Sequence, residues 1–292
     1  MNVPISGLLQ FSKNVTSEHG EDGILEHVFS VIGDGSRSCV ELGALNGKHG
    51  SNVWRLIKEQ HWSGILIEAD PTYFEVLKRE YAGTNTICLN RFVSFEGKDA
   101  LGRTLSETSL PRQFDLLSLD IDGNDYHVWE SLTEYMSRVA VIEFNPSIPN
   151  DVHFIQARDM GVQQGSSLKA IVELGKKKGY ELVAVTETNA IFVLRELFPK
   201  CAIGDNSITV LHTDRRFETN LFQLYDGTLK ITGTTHLIWH KLPIDEEKLQ
   251  VLPLWRRVYP AGTSASGWVR YLKYWVRKLP FYALLQRLRK SI

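Results

Sequence analysis

Short apolar runs alternate with amphipathic segments through the first two thirds of the chain. The run 38–42 (Ser-Cys-Val-Glu-Leu) ends in Gly43-Ala44-Leu45-Asn46-Gly47, and a periodic stretch over 51–62 carries Val53, Leu56 and Ile57 on one face. That is the pattern of a strand, a tight loop and a helix. The unit recurs. Residues 64–68 form an apolar run, and 71–81 a helical pattern with Pro71 near its start, a position that tolerates a missing N–H. Further runs lie at 86–89, 114–120 and 139–143, with helical patterns at 126–132 and 166–178. The last of these carries Leu168, Ile171, Val172 and Leu174 on one face, and ends in lysines and Gly179. Two more runs, 181–185 and 190–194, are joined by a link too short for a crossover, so they pair antiparallel. Strands alternating with helices predict an α/β fold: a doubly wound, mostly parallel, seven-stranded Rossmann-like sheet that closes in an antiparallel hairpin.

The character changes after residue 200. Short strand-like runs at 222–227, 228–231 and 235–239, with Asp226-Gly227 as a turn signal, predict a small β-rich appendage. The expected organisation is a main domain over 1–200, the appendage over 201–260 and a helical tail over 261–292. In the tail Trp268, Tyr271, Leu272, Trp275 and Leu279 share one helical face and Arg270, Lys273 and Arg277 lie opposite. From 248 to 292 there are ten Lys or Arg and no acid, while the first 247 residues hold 23 basic and 34 acidic residues, a net of −11. A basic amphipathic tail on an acidic body suits either packing on that body or an anionic membrane surface. The acidic body and the lack of any recognisable motif argue against nucleic acid. Cys39, Cys88 and Cys201 are widely separated and fit neither a zinc site nor a disulfide framework. With no signal-peptide or membrane-spanning pattern, the expectation is a cytoplasmic protein with a peripheral membrane contact.

Ligands of open α/β sheets bind beyond the carboxyl ends of the strands. There the sequence places Glu41, Gly43 and Gly47, then Glu68 and Asp70, then Asp120, Asp122, Asn124 and Asp125, then Glu143 and Asn145. Glycines at 43 and 47 let a backbone approach a ligand closely, and their loop amides, with Asn46, suit the amino-acid part of a cofactor. A carboxylate at the end of the second strand, Glu68 before Asp70, suits a ribose diol. The alternative for each is a plain turn glycine or a helix cap. Gly43, Gly47 and Gly50 do not have the dinucleotide spacing, and 43–48 falls short of a phosphate-binding loop. Asp120, Asp122, Glu143 and Asn145 offer hard oxygen ligands that suit magnesium or calcium. The alternative is contact with the cofactor or capping of the next helix. For a general base, His127 ranks above His153 and His19 because it follows the acidic loop; Asp120 is the second catalytic candidate. The polar stretch 147–165 is placed to overhang the pocket as a substrate lid.

The segments Glu41–Gly47, Ile67–Pro71 and Phe114–Asp122 resemble the FkbM-type branch of class I S-adenosylmethionine-dependent methyltransferases. The leading Glu18-His19-Gly20-Glu21-Asp22-Gly23-Ile24 resembles the segment before the first strand in a related group. The likeness spans roughly 14–200 and implies methyl transfer to a hydroxyl of a sugar, glycolipid or secondary metabolite. It places Glu41, Gly43, Gly47 and Glu68 around S-adenosylmethionine. Metal-assisted relatives hold a divalent ion at the acidic loop. The chain departs from the pattern there, with Asp120-Ile121-Asp122-Gly123-Asn124-Asp125 in place of Asp-x-Glu-Gly. Two other readings stay open: a non-catalytic binding protein on this fold, and a metal-dependent enzyme that does not use the cofactor.

Overall fold

The computed structural model describes residues 7–259 together with 272, 274–276 and 278. Most of the aromatic stripe of the expected tail helix therefore lies outside the described residues. The chain divides into two compact units, Met1–Glu218 and Thr219–Ile292.

The first unit opens with a 3-10 turn (Gly7–Phe11) and helix α1 (Glu21–Ile32), which buries Ile24, Leu25, Val28, Phe29 and Ile32 ahead of the strand–helix alternation. Then follow β1 (Ser38–Leu42), α2 (Trp54–Lys58), β2 (Ser63–Glu68), α3 (Pro71–Glu80), β3 (Thr86–Asn90), α4 (Leu101–Ser106), β4 (Gln113–Leu119), α5 (Asp125–Ser131), β5 (Met136–Glu143), α6 (Leu168–Lys177), β6 (Tyr180–Val185), β7 (Asn189–Leu194) and the short α7 (Ile208–Leu211). The seven strands form one sheet in the order β3-β2-β1-β4-β5-β7-β6. All neighbours are parallel except β7, which runs antiparallel to both β5 and β6. This is the Rossmann-like sheet that the alternation predicts, with the last strand of the closing hairpin, β7, inserted between β5 and β6.

Strands flanked on both sides have no solvent face, so β1, β4 and β7 are buried almost throughout, Glu41 in β1 and Asp115 and Ser118 in β4 included. Edge strand β3 is half exposed. One core packs around Trp129, Phe114 and Phe192 beneath α4, α5 and α6. The other packs around Trp62, Leu66 and Ile24 beneath α1, α2 and α3. Each fully buried side chain of this size contributes about 1.5–3 kcal/mol. The helix predicted over 51–62 is only five residues long, because Ser51 and Asn52 are drawn onto Glu41 before it starts.

Residues 201–218 belong to the first unit rather than to the appendage. Cys201 and Leu211 are buried in its cores, and His212 packs 5.5 Å from the ring of Phe144 while its Nδ1 lies 2.6 Å from Asn150 Oδ1. The second unit holds the hairpin β8 (Thr219–Gln223) and β9 (Leu229–Gly233) and the small pair β10 (His236–Leu237) and β11 (Leu242–Pro243). The hairpin turns at Asp226-Gly227 as predicted, although its first strand begins earlier. Among the described residues no helix is long and apolar enough to cross a membrane.

Candidate functional site

Parallel strands bring Glu41, Glu68, Asp120 and Glu143 to one rim of the sheet, at the carboxyl ends of β1, β2, β4 and β5. Side-chain direction then separates their roles. Glu41 turns inward. Its Oε2 accepts from Ser51 Oγ at 2.7 Å and its Oε1 from Asn52 N at 2.8 Å, so it fixes the end of the glycine loop rather than facing solvent. Burial pushes its carboxyl up to about 7. Glu68 is buried under the loop, where its Oε2 accepts from Leu45 N and its Oε1 from Asp70 N, each at 2.7 Å. Each oxygen keeps one further acceptor direction.

The loop itself is already satisfied. The N–H groups of Ala44, Leu45 and Gly47 through Trp54 all have acceptors within the protein. These amides therefore hold the loop, Gly47 N among them by donating to Ala44 O. Asn46 Oδ1 accepts from Lys48 N and His49 N and makes the turn. Gly43 and Gly47 have φ of 70° and 78°, and their missing side chains make room for protein. A Cβ on Gly43 would stand 1.8 Å from the carbonyl oxygen of Asp120, and one on Gly47 would meet Leu77 and Tyr81 at 2.5 and 2.6 Å. Asp70 is the N-cap of α3, its Oδ1 accepting from Thr72 N and Tyr73 N. Those amides, Tyr73 first, hold its carboxyl below the usual range.

Asp120, Asp122 and Glu143 form the second part of the site. One carboxylate oxygen from each lies within 4.8 Å of the others. Burial and mutual repulsion raise both Asp120, to about 6, and Glu143. Asp125 closes the loop by accepting from Ile121 N and Gly123 N, and burial pushes it up to about 7. Asn145 does not join this group. Its Oδ1 accepts from Ser147 N and Oγ, and its Nδ2 donates to Gln164 O, so its carboxamide fastens the segment that follows β5.

That segment, 147–165, is docked rather than loose. Asn124 Nδ2 donates to Asp159 O and Val162 O, and Gln156 Oε1 accepts from Gln164 N and Gly165 N. His127 is buried in α5 between Phe95 and Tyr126, with Nε2 3.0 Å from Gln156 O. It therefore positions this wall and is not presented to the rim as a base. His153 pairs with Glu173 at 3.3 Å.

Of the remaining wall, residue chemistry singled out His19 alone. Asp22 is buried at the start of α1, and its Oδ2 gathers Val15 N, Thr16 N, Ser17 N and Ser17 Oγ, each at 2.8 Å. Glu21 accepts from Thr186 Oγ1, Asn189 Nδ2 and His19 N. Together they strap residues 15–19 across the rim, where Thr16 also accepts from Gly50 N. A cavity of about 610 Å³ opens between this strap, Asn46, Lys48 and His49. His19 and Glu18 line it, and the Glu18 and Glu21 charges help raise the Asp120 carboxyl. The signals for the strap were His19, third among the candidate bases, and the likeness of residues 18–24 to a family segment.

Glu41 and Asp125 keep their protons more firmly folded than unfolded, where carboxyls titrate near 4. Their contribution to stability is therefore full below about pH 4 and lost as the pH rises through about 7. Thermal unfolding is expected at a clearly higher temperature at pH 5 than at pH 8, the two groups together making a difference on the order of 4 kcal/mol. Glu41→Gln is expected to remove about half of it. Equal or greater stability at pH 8 overturns the assignment.

No protein-family model matches the chain, and no curated protein matches it. Solved structures do. A TehB-like S-adenosylmethionine-dependent methyltransferase from Corynebacterium glutamicum is 14% identical with a TM-score of 0.37, over 64% of this chain and 92% of that one. A methyltransferase of the same cofactor from Clostridium acetobutylicum is 10% identical with a TM-score of 0.38, over 60% and 90%. An S-adenosylmethionine-bound amino pentose methyltransferase from Micromonospora echinaspora is 10% identical with a TM-score of 0.36, over 59% and 89%. Likenesses this distant assign no role to any residue of the site.

Proposed function

We propose that the chain is an S-adenosylmethionine-dependent O-methyltransferase acting on a hydroxyl of a sugar, glycolipid or secondary metabolite, as its FkbM-type motifs imply. The observation that carries the reading is the placing of Glu68, Asp120 and Glu143 at the ends of β2, β4 and β5, in a sheet of this strand order. This donor set suits a nucleoside cofactor, because Glu68 is held rigid by two amides and keeps acceptor capacity for two ribose hydroxyls.

The cofactor supplies an electrophilic methyl group on a sulfonium. The chain has to orient an acceptor hydroxyl and take its proton. Asp120 serves as the base, since a carboxyl raised to about 6 accepts a proton more readily than an ordinary one and still ionises near neutrality. Its neighbour Glu143 keeps a proton and limits repulsion within the group. The same three carboxylates, Asp120, Asp122 and Glu143, would hold a divalent cation, which would orient the acceptor hydroxyl and lower its pKa. The docked segment 147–165, held by Asn124, Asn145 and His127, excludes water on the acceptor's side. A second reading, a binding protein without catalysis, is favoured by the internal satisfaction of the loop amides and of Glu41.

Calorimetric titration with S-adenosylhomocysteine separates these readings. Micromolar binding is the expected outcome, with magnesium raising the melting temperature if the three carboxylates act as ligands. Absence of binding with and without magnesium overturns the methyltransferase reading.

A further inference from the structure

From residue 219 to residue 259 no apolar residue is buried. A folded unit normally hides its large apolar groups, yet here they stand in solvent. Tyr225, at the tip of the β8–β9 hairpin, is 90% exposed, and its ring meets that of Tyr259 edge-on at 6.2 Å. Val251 is 82% exposed, Leu254 73% and Tyr259 70%. These groups share one structural element. The segment 246–259 is laced along the hairpin by Gln250, which accepts from Leu229 N and donates to Leu229 O, and Leu252 fills the space above Gly227.

Charge distinguishes this surface from a simple exposed patch. Residues 219–292 hold twelve Lys or Arg and four Asp or Glu, a net of +8, whereas 1–218 has a net of −9. Three of the four acids are already matched within the unit, Glu246 by Lys230, Glu247 by Arg257 and Asp245 by Lys248. Among the described residues Lys241 and Arg256 form no ion pair, and the guanidinium of Arg256 lies over the ring of Trp255 at 5.0 Å. Exposed aromatic and aliphatic groups beside uncompensated cations match the boundary of an anionic bilayer, where apolar groups enter the acyl edge and cations meet phosphates.

We propose that this unit, 219–259, is a membrane-docking module for anionic phospholipid, with Tyr225, Val251, Leu254 and Tyr259 as the inserting groups and the acid-free stretch from Lys248 onward as the electrostatic contact. The inference does not depend on the methyltransferase reading. It differs from a contact made by the tail alone, because it assigns insertion to residues outside the tail.

The test is co-sedimentation of the full chain with vesicles of pure phosphatidylcholine, or with roughly one-third phosphatidylserine, at about 0.1 M salt. The chain is expected to pellet with the anionic vesicles only. Val251→Asp with Leu254→Asp is expected to lower the bound fraction about tenfold at an unchanged melting temperature. If that double variant does not fold, Tyr225→Ser, at the exposed hairpin tip, provides the same readout. Failure of the wild type to pellet, equal pelleting with neutral vesicles, wild-type binding by the folded apolar variant, or stripping from vesicles by single-stranded RNA each overturns the proposal.

Discussion

Replacement of Gly43 by alanine is expected to leave little folded protein. The added methyl would stand 1.8 Å from the carbonyl oxygen of Asp120, and φ at this position is 70°. Neither problem has a cheap remedy. The obstructing atom is main chain at the end of β4, not the tip of a flexible side chain, so β1 and β4 would have to part at the centre of the sheet. A left-handed conformation adds about 1 kcal/mol for a residue with a Cβ. The combined cost is on the order of 4 kcal/mol or more, out of a total stability of about 5–15 kcal/mol. Gly204→Ala is the control, because nothing lies within 4 Å of its Cβ. That variant is expected to melt within a degree or two of the parent, a change of about 0.5 kcal/mol. If Gly43→Ala melts with it, the close approach of the two strand ends is wrong.

Glu68→Ala is expected to weaken S-adenosylhomocysteine binding at least a hundredfold, roughly 3 kcal/mol. Part of the loss is direct, since the carboxylate that suits the ribose diol is gone. The rest comes from the loop, because Leu45 N and Asp70 N lose their acceptor. Glu68→Gln tests the second part. A carboxamide has one oxygen and so receives only one of the two N–H groups, while its own NH2 faces the other. It is expected to bind nearly as poorly as alanine, although its shape is almost unchanged. Calorimetric titration of both variants, beside circular dichroism to confirm the fold, provides the measurement. Wild-type affinity in Glu68→Ala would remove Glu68 from the cofactor site.

The sheet could be read from the sequence because buried parallel strands have a direct signature, apolar runs such as 139–142, ending where polar residues begin. Pairing of the last two strands followed from a link too short to cross. Their insertion beside β5 did not, since link length constrains partners and not neighbours. Helix α1 had a legible apolar face, Ile24, Leu25, Val28, Phe29 and Ile32, behind two first-turn acids; what was illegible is that Glu21 and Asp22 are buried here as anchors. The candidate site was legible as a set of positions and illegible as a set of roles. Sequence placed Glu41, Glu68, Asp70, Asp120 and Glu143 at strand ends. It did not distinguish an acid that meets a ligand from one that meets its own backbone, because that depends on the turn after each strand. Glu41 and Asp70 took local partners, as did Asn145, while Asp120, Asp122 and Glu143 were left facing one another. The histidines misled for a related reason. His127 follows the acidic loop in sequence, but it lies in α5 with its imidazole against Gln156 O.

The strap over the rim also sets an order of events during synthesis. Glu21 is bonded to Thr186 and Asn189, 165 and 168 residues further along the chain. On a ribosome the segment around residues 15–19 emerges first, yet its anchor is among the last parts of the sheet to appear. At about 5–20 residues per second the amino-terminal end waits on the order of ten seconds or more for its partner. Until then Glu21 lacks its two distant donors, while Asp22 already has its own in residues 15–17. The strap is therefore tied down only once β6 and β7 have closed, so a nascent chain halted before residue 185 has most of a sheet and an unfinished rim.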